Sequence, residues 1–263
     1  MQAEPRSVLI AGATGGIGSA LSSRLAGAGH ALVLCARTGS TLESLRTGLP
    51  GGEARHQVIP VDMSDDASVS AFADTLRNRQ IALDGVVLMP PQPHASAEYF
   101  VEPAAWRDLF QRSFVGPLSL LKACIERMQP DPGQGRRCKV VIVSGISSVQ
   151  VLGHYATSNV LRCAWVGQAK TLAFALGERG IHVLTLSLGG TLSPWYKAGL
   201  ERRAVAANMS YEERLAEETG NIPLRKYGTP ADVAVAIDGL LSPFSDHMTG
   251  VNILCDGGFT RAY

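Results

Sequence analysis

Long apolar runs are missing from this 263-residue sequence. No stretch approaches the roughly 20 residues that a helix needs to cross a bilayer, so no membrane-spanning segment is expected. A charge bias is missing too, because 24 basic and 23 acidic side chains leave a formal net charge of +1. That balance offers no general attraction to nucleic acid or to a membrane surface. Residues 1–6 lead straight into an apolar run without a secretion signal, so we expect a cytoplasmic protein.

Cysteine is scarce and irregularly spaced. The five cysteines are Cys35, Cys124, Cys138, Cys163 and Cys255. Their number is odd and no Cys-x-x-Cys pair occurs, which argues against a disulfide framework and against a zinc site. We therefore expect small core residues in a reducing compartment, and no metal site.

Short apolar runs alternate with longer amphipathic segments through most of the chain. The apolar runs cover residues 8–10, 31–35, 57–61, 85–89, 139–143, 181–186 and 251–255. The helix-like segments cover roughly residues 16–28, 67–79, 104–128, 158–179 and 230–241. Runs this short and apolar are typical of strands that are buried on both faces. The alternation predicts an α/β, Rossmann-type doubly wound fold, with a seven-stranded parallel sheet and helices on both faces.

No repeat, low-complexity tract or linker divides the chain, and we expect a single domain over residues 1–263. The segment 190–218 breaks the alternation and contains Trp195, Tyr196 and a charged, helix-like piece at 211–215. A long insertion after a strand is where a lid over a substrate commonly lies. We expect such a lid here, over a small-molecule substrate that is apolar or ring-bearing, although the two aromatic residues would serve equally well in packing.

A glycine-rich turn follows the first apolar run and opens the first helix-like segment. Its glycines are spaced Gly12-x3-Gly16-x-Gly18, and Thr14, Gly15 and Ile17 lie within the same turn. Glycine allows a sharp turn and a close approach of the backbone to a ligand. The exposed N–H groups and the positive end of the helix then attract an anion, so the stretch predicts a phosphate site.

Two further positions fall at the ends of the second and third strands, where this fold binds its ligands. Ala36-Arg37 ends the second strand without the acidic residue that would accept hydrogen bonds from both ribose hydroxyls of NAD. A guanidinium suits a 2′-phosphate, so Arg37 favours NADP(H) over NAD(H), unless it is only a solvated surface arginine. Asp62 and Met63 follow the third strand, where a carboxylate would meet an adenine, unless Asp62 serves only as a turn or cap residue.

Taken together, these motifs resemble the short-chain dehydrogenase/reductase family over nearly the whole chain. The stretches that carry the resemblance are Gly12-x3-Gly16-Ile17-Gly18, Asp62, Lys170-Thr171-Leu172-Ala173, Gly180-Ile181-His182-Val183, residues 222–234 and residues 249–258. The resemblance implies NAD(P)(H) binding, with Gly189 among the cofactor contacts. It also implies a homotetramer or homodimer built from the long helices and the last strand.

Members of this family carry a Tyr-x3-Lys pair after the fifth strand, with a Ser about thirteen residues earlier and an Asn on the preceding long helix. Two registers are possible here. One aligns Tyr155 with the tyrosine and Asn159 with the lysine. The other aligns Ser158 and Arg162, and it continues without a gap through Lys170-Thr171-Leu172-Ala173, so we prefer it.

In the preferred register all four catalytic positions differ from the family pattern. The Asn, Ser, Tyr and Lys positions are Ser113, Gly145, Ser158 and Arg162. Contacts to the nicotinamide half differ as well, since Leu88-Met89-Pro90-Pro91, Leu188-Gly189 and Ser193 replace the usual residues.

The altered centre still contains residues that could do chemistry. Arg162 keeps a positive charge that could bind a ribose hydroxyl, a substrate anion or a structural partner, but it cannot release a proton. Ser158 is a poor general acid and a good helix cap. Tyr155 could replace the missing phenol if the helix begins early enough to bring it onto the face of Ser158.

Other side chains near this region are weaker candidates. His154 and His94 could supply a proton near neutral pH, although each is isolated. Ser144, with Ser147 and Ser148 just beyond it, could bind a substrate oxygen, but none has a partner spaced to make it a nucleophile.

Three functions are compatible with this pattern. The first is an atypical oxidoreductase that reduces a carbonyl with NADPH, or oxidises the alcohol in the reverse direction. The second is a non-redox enzyme on the same fold, such as an isomerase or dehydratase. The third is an NADP-binding protein without catalysis. The retained glycine turn favours a nucleotide ligand, whereas the altered centre leaves the reaction open.

Overall fold

The computed structural model describes residues 5–93 and 95–262. Within them a single sheet contains seven strands, all parallel, in the order β3-β2-β1-β4-β5-β6-β7. The strands are β1 (Ser7–Ala11), β2 (Ala31–Ala36), β3 (Gln57–Pro60), β4 (Gly85–Leu88), β5 (Cys138–Gly145), β6 (Ile181–Leu188) and β7 (Asn252–Cys255). This order reverses direction between β1 and β4, which confirms the predicted doubly wound sheet.

Ten α-helices accompany the sheet in the described part of the chain. They are α1 (Gly16–Gly27), α2 (Gly39–Gly48), α3 (Gly52–Arg55), α4 (Asp66–Asn78), α5 (Pro103–Phe110), α6 (Gly116–Ile125), α7 (Ala156–Leu176), α8 (Pro194–Ala206), α9 (Tyr211–Thr219) and α10 (Pro230–Leu241). A π-helical turn, Gln111–Val115, joins α5 to α6. Asp65 caps α4 by accepting a hydrogen bond from the Ala67 N–H at 3.1 Å.

The core forms two layers, one on each face of the sheet. Alternate residues of a strand point to opposite faces, so Leu9 packs with α4, α6 and α7, whereas Val8 packs with α1 and α10. The strands β1, β2, β4, β5 and β6 are apolar and largely buried, as their sequences predicted. The strand β3 does not follow the prediction, because it lies at one lateral edge of the sheet and only Ile59 of its four residues is buried. The half-buried β7 lies at the other lateral edge of the sheet.

Several boundaries differ from the sequence-based expectations. Helices α2 and α3 were not predicted, because the segment has few apolar residues and only Leu42 of α2 is fully buried. The long helix expected at 104–128 is divided by the π-turn. Helix α7 begins at Ala156 and not at Ser158.

The structure describes the state of all five cysteines. All five cysteines are free thiols, but Cys163 is exposed and is not a core residue, because it lies off the buried face of α7. In residues 5–93 and 95–262, no cluster of acidic, histidine or cysteine side chains could hold a metal ion. No helix among these residues is long and apolar enough to cross a membrane.

The parallel sheet brings the candidate site residues to one edge. The strands end in register, with Ala11 beside Cys35 and Leu88, and Gly145 beside Leu188. The glycine turn, the segments after β2 and β3, the loop after β4 and the first turn of α7 all follow the carboxyl ends of strands. This edge is where a doubly wound sheet binds its ligands.

Candidate active site

The glycine turn is fixed by contacts that only glycine permits. Gly12 has a φ of +97°, a left-handed conformation, and its N–H donates to the Cys35 carbonyl at 2.8 Å. A Cβ on Gly18 would overlap the Gly12 carbonyl oxygen, so the turn closes directly on the first turn of α1. The exposed Thr14 and Gly15 lie at its tip.

The beginning of α1 has the properties of an anion site. The first turn of α1 has no acidic residue, and no side chain caps it at Gly15. The N–H groups of Gly16, Ile17 and Gly18 have no carbonyl partner in the described chain. Unpaired donors at the positive end of a helix fit a phosphate group.

The lid segment contacts this turn directly. A Cβ on Gly16 would lie 2.7 Å from Cδ of Pro194, and 3.1 Å from Cβ of Ser193. Ser193 caps α8 by accepting a hydrogen bond from the Tyr196 N–H at 3.3 Å. The beginning of α8 therefore lies against the beginning of α1, over the predicted phosphate site.

Arg37 and Asp62 lie near each other beyond β2 and β3. Arg37 is exposed and forms no ion pair with a residue that the structure describes. Asp62 Oδ1 accepts hydrogen bonds from the Ser64 hydroxyl at 2.6 Å and from the Ser64 N–H at 2.9 Å. These bonds, and then Arg37, lower the pKa of the Asp62 carboxyl. Asp62 thus has the turn role considered for it, and its adenine contact stays a prediction.

Two other predicted cofactor residues have structural neighbours. A Cβ at Gly116, the first residue of α6, would overlap the Met63 carbonyl oxygen, so the Met63 backbone lies against α6. The Gly189 N–H donates to the Cys255 carbonyl at 3.0 Å, and a Cβ on Gly189 would lie 2.8 Å from Cα of Asp256. The packing of β7 therefore already requires a glycine at 189, and no described contact tests the roles predicted for Met63 and Gly189 toward a cofactor.

The first turn of α7 corrects two expectations. Tyr155, with φ −130° and ψ 41°, is the residue that precedes the helix, so it does not share a helical path with Ser158. The early start is set from outside the helix, since the Ala156 N–H donates to the Ser96 carbonyl at 2.9 Å. Ser158 is the third helical residue and not the cap. Asn159, which the other register aligns with lysine, instead bonds the backbone of Leu152 on both its N–H and its C=O.

The Tyr155 side chain is near enough to Arg162 on α7 and to Tyr196 on α8 to affect the pKa values of both. Burial lowers the pKa of the Arg162 guanidinium, and the neighbouring Tyr155 opposes this shift. Burial also raises the pKa of Tyr196 on α8, and Tyr155 adds to that rise. The ring of the exposed His154 stacks 4.4 Å from the Tyr155 ring. His94 lies outside the described residues.

Arg162 is held by Gln92, a residue that no sequence motif singles out. Its Nε donates to Oε1 of Gln92 at 3.0 Å, and Nε2 of Gln92 donates to the Pro90 carbonyl at 2.9 Å. Its Nη1 occupies the space in which a Cβ at Gly145 would lie. The guanidinium therefore fills the volume of a serine side chain at the family's serine position.

Four buried serine hydroxyls near this centre have no hydrogen-bond partner among the described residues: Ser113, Ser144, Ser147 and Ser158. Ser113 lies in the π-turn, and its carbonyl accepts a hydrogen bond from the Trp165 indole of α7 at 2.8 Å. Buried hydroxyls normally have partners, so this set is available to a ligand or to water. Ser148 differs, because it bonds Ser187 at 2.9 Å and Asn252 at 3.2 Å in a structural link between β6 and β7.

The lid is fastened through one carboxylate. Glu218 on α9 accepts hydrogen bonds from Arg203 Nε on α8 and from Arg214 Nε, both at 2.8 Å, and from the Tyr227 hydroxyl at 3.1 Å. Tyr196 packs edge-on against Tyr227 with ring centroids 5.3 Å apart. Trp195 is 73% exposed on the outside of α8 and does not contribute to packing. The sequence pattern alone gave no signal for Glu218, whose partners come from three segments.

Comparison with known proteins agrees with this geometry. Residues 12–260 match the family model described as enoyl-(acyl carrier protein) reductase. A protein of Streptomyces virginiae, assigned as a ketoacyl reductase of the monensin polyketide synthase, is 29% identical over 262 residues, covering 98% of both chains.

Two solved structures are similar over almost the whole chain. One is an NADPH-bound short-chain oxidoreductase from Pseudomonas aeruginosa PAO1, described as containing an atypical catalytic center. It has a TM-score of 0.83 and 26% identity, and the match covers 98% of each chain. The other, L-sorbose reductase from Gluconobacter frateurii, has a TM-score of 0.88 and 20% identity, covers 100% of this chain and 99% of that chain, and shows the common fold. The chain belongs to the short-chain dehydrogenase/reductase family, whose typical members are NAD(P)-dependent oxidoreductases.

Proposed function

We propose that the protein is an NADPH-dependent carbonyl reductase, or catalyses the reverse alcohol oxidation, with an altered catalytic centre. One observation carries the proposal. The carboxyl ends of the strands bring together three features, namely a glycine turn whose N–H donors are unpaired, the Tyr155 phenol and the Arg162 guanidinium. The first of these fits a dinucleotide phosphate, and the other two lie where the family carries out its chemistry.

The preference for NADP(H) rests on Arg37. Its exposed guanidinium follows β2, where a 2′-phosphate on the adenosine ribose would lie, and no described acidic side chain forms an ion pair with it. The NADPH in the related Pseudomonas structure supports the same choice. Asp62 and Met63 would contact the adenine, while Thr14, Gly15, Gly16 and Ile17 would surround the pyrophosphate.

The bound dinucleotide would supply hydride transfer, and the protein's own residues would orient the substrate and manage one proton. Tyr155 is the proton donor in this proposal, since its phenol is near enough to Arg162 and to Tyr196 on α8 to affect the pKa values of both. The Ser158 and Ser144 hydroxyls would donate hydrogen bonds to substrate or cofactor oxygens, because they are buried without partners. Arg162 would provide a fixed positive charge beside the nicotinamide half, close to Gly189.

We also propose a homodimer or homotetramer. An apolar groove of about 280 Å³ runs between α6 and α7. Its apolar lining is formed by Leu118, Leu121, Ile125, Leu172 and Leu176. A second copy packing its own α6 and α7 here would bury this surface. Light scattering of the wild type and of Leu172→Glu tests this, and a monomeric wild type would contradict it.

The cofactor assignment is tested by titrating the protein with NADPH and NADH and following nicotinamide fluorescence. We expect saturable NADPH binding that Arg37→Asp weakens by about tenfold or more, through loss of a charged hydrogen bond and a new repulsion. Arg55→Asp is the matched control. Arg55 is exposed at the end of α3, which directly precedes β3 and therefore lies toward the amino ends of the strands, away from the predicted cofactor site. Equal wild-type affinity for the two cofactors would overturn the NADP(H) preference.

The reaction is tested by NADPH oxidation in the presence of a broad carbonyl panel. Turnover of any member supports the reductase. NADPH binding without oxidation by any carbonyl would overturn the proposed reductase activity. Two alternatives would then remain, namely a non-redox enzyme and a nucleotide-binding protein that has no catalytic activity.

A further inference from the structure

Arg162 is a partly buried cation without an anionic partner among residues 5–93 and 95–262. No described carboxylate oxygen lies within 4.0 Å of its guanidinium nitrogens. Lys139 provides the contrast, because this 1% exposed side chain has the Asp246 carboxylate at 2.6 Å and the Ser245 hydroxyl at 2.8 Å. A buried charge is costly unless it is paired, so the surroundings of Arg162 favour an incoming anion.

The guanidinium is held in one orientation that leaves its outer donors unused. The single hydrogen bond to Gln92 uses the Nε edge, and Gln92 is itself fixed by the Pro90 carbonyl. Nη1 lies against Gly145, which has no side chain to accept a bond. The N–H groups on Nη1 and Nη2 have no described acceptor. Two parallel donors on a planar fork match a carboxylate.

The first turn of α7 adds further donors on the same side. Ser158 lies one helical turn before Arg162, at a spacing that places both on one face. Its hydroxyl is 1% exposed and has no described partner. The first turn contains no acidic residue, and the N–H groups of Thr157 and Ser158 have no described carbonyl acceptor. The positive end of this 21-residue helix therefore reinforces the charge of Arg162.

We propose that Arg162 and Ser158, with the first turn of α7, bind a carboxylate group of the substrate, so that the substrate is an oxo acid and not a neutral ketone. A ribose hydroxyl is neutral and would leave the buried charge uncompensated, whereas a carboxylate compensates it. This inference rests on the proposed reductase activity, because it names the class of carbonyl compound that the site accepts.

The test compares acids with their neutral esters on the complete enzyme with NADPH. The substrates are 2-, 3- and 4-oxopentanoate and their methyl esters, because the structure does not fix the spacing between carboxylate and carbonyl. For at least one acid we expect kcat/KM to exceed that of its ester by about tenfold or more. Arg162→Gln should remove this ratio, and Arg162→Lys should restore it in part, since it keeps the charge without the fork. Arg55→Gln, a surface change of the same charge, should keep the ratio.

Binding measurements separate failure of this inference from failure of the proposed function. NADPH affinity is measured for each variant by fluorescence, and affinity for the three acids is measured by calorimetry on the protein–NADPH complex. Absence of NADPH binding would overturn the proposed function itself. Acid and ester used equally well by the wild type, or acid affinity unchanged by Arg162→Gln, would overturn the carboxylate site. Weaker NADPH binding in Arg162→Gln with an unchanged acid-to-ester ratio would assign Arg162 to the cofactor ribose and overturn it as well. If Arg162→Gln fails to fold, Arg162→Lys and Ser158→Ala replace it. Each should lower the acid-to-ester ratio and the affinity for the acid, and a wild-type ratio and affinity in both variants would overturn the carboxylate site.

Discussion

The Arg162 guanidinium occupies the space in which the Cβ of any larger residue at position 145 would lie. The two residues come from different elements, α7 and the end of β5, and they are matched in volume. In the predicted register, arginine at the lysine position and glycine at the serine position are therefore expected to depend on each other.

Gly145→Ala should displace the guanidinium, because Nη1 is the mobile end of a long side chain and can move more easily than backbone. The Arg162–Gln92 hydrogen bond would be lost, which lowers the free energy of unfolding by about 0.5–1.5 kcal/mol. The same substitution in an Arg162→Ala background should cost close to nothing. Urea denaturation of the four proteins in this double-mutant cycle measures the coupling, and additive effects would show that the two residues do not compete for space.

Gly18→Ala and Gly27→Ala should have opposite effects, although both lie on α1. A Cβ at position 18 would overlap the Gly12 carbonyl and approach Cα of Ala13 to 2.8 Å, and backbone atoms cannot move aside easily. We expect a loss of about 1–3 kcal/mol in unfolding free energy, together with weaker NADPH binding. Gly27 has open space around its Cβ position, so alanine should stabilise the helix by about 0.5–1 kcal/mol. Equal behaviour of the two variants in denaturation would contradict the packing described for the glycine turn.

Glu218→Gln should loosen the lid and change the acid stability of the protein. Burial alone would raise the pKa of Glu218, but the hydrogen bonds from Arg203 and Arg214 outweigh it, so the pKa is lowered from its ordinary value of 4.5. A lowered pKa contributes stability that is complete above that ordinary value and is lost as the pH falls through the folded-state pKa. Near neutral pH the variant should lose about 1.5–3 kcal/mol, the range for hydrogen bonds to charged groups.

The pH profile provides the check on Glu218. Below pH 4.5 the difference between wild type and Glu218→Gln should shrink, because the wild-type carboxylate becomes protonated. Glu212→Gln, at an exposed acid in the first turn of the same helix, is the control and should leave the profile nearly unchanged. A difference that is constant with pH would argue against Glu218 as the titrating group.

Tyr155→Phe should lower kcat by roughly 10²–10⁴ with any substrate that the enzyme turns over, the range typical of general acid catalysis. The hydroxyl forms no hydrogen bond with a described residue, so thermal unfolding should be almost unchanged. Tyr211→Phe, on α9, is the matched control. Unchanged turnover in Tyr155→Phe would remove this residue from the mechanism and shift the search for a proton donor elsewhere.

The sheet and the glycine turn could be predicted because their signals are local. Strands such as β1 and β5 are apolar on both faces, and the Gly12-x3-Gly16-x-Gly18 spacing lies between a strand and a helix. Helix α2 gave a weaker signal, since Leu42 is its single fully buried residue. The start of α7 could not be predicted locally, because the hydrogen bond that the Ala156 N–H donates to the distant Ser96 carbonyl determines it.

The same distinction applies to the candidate site, where residue identities could be predicted from the sequence and their spatial arrangement could not. The altered identities at 113, 145, 158 and 162 follow from alignment with the family pattern. Their arrangement depends on contacts between remote segments, such as Gln92 with Arg162 and the Trp165 indole with the Ser113 carbonyl. Neither pair has a sequence spacing that would indicate contact, so the geometry could come only from the folded structure.

The contact of Pro194 with Gly16 predicts that nucleotide affinity depends on the position of α8. A phosphate seated on the first turn of α1 has to share the space above Gly16 with the proline ring and Ser193. If α8 has to withdraw before the phosphate binds, the apparent dissociation constant is the intrinsic constant divided by the fraction of molecules in which α8 has withdrawn. The hydrogen bonds of Glu218, which hold α8 against α9, would then also affect the apparent affinity for the nucleotide, although Glu218 itself lies outside the predicted nucleotide site.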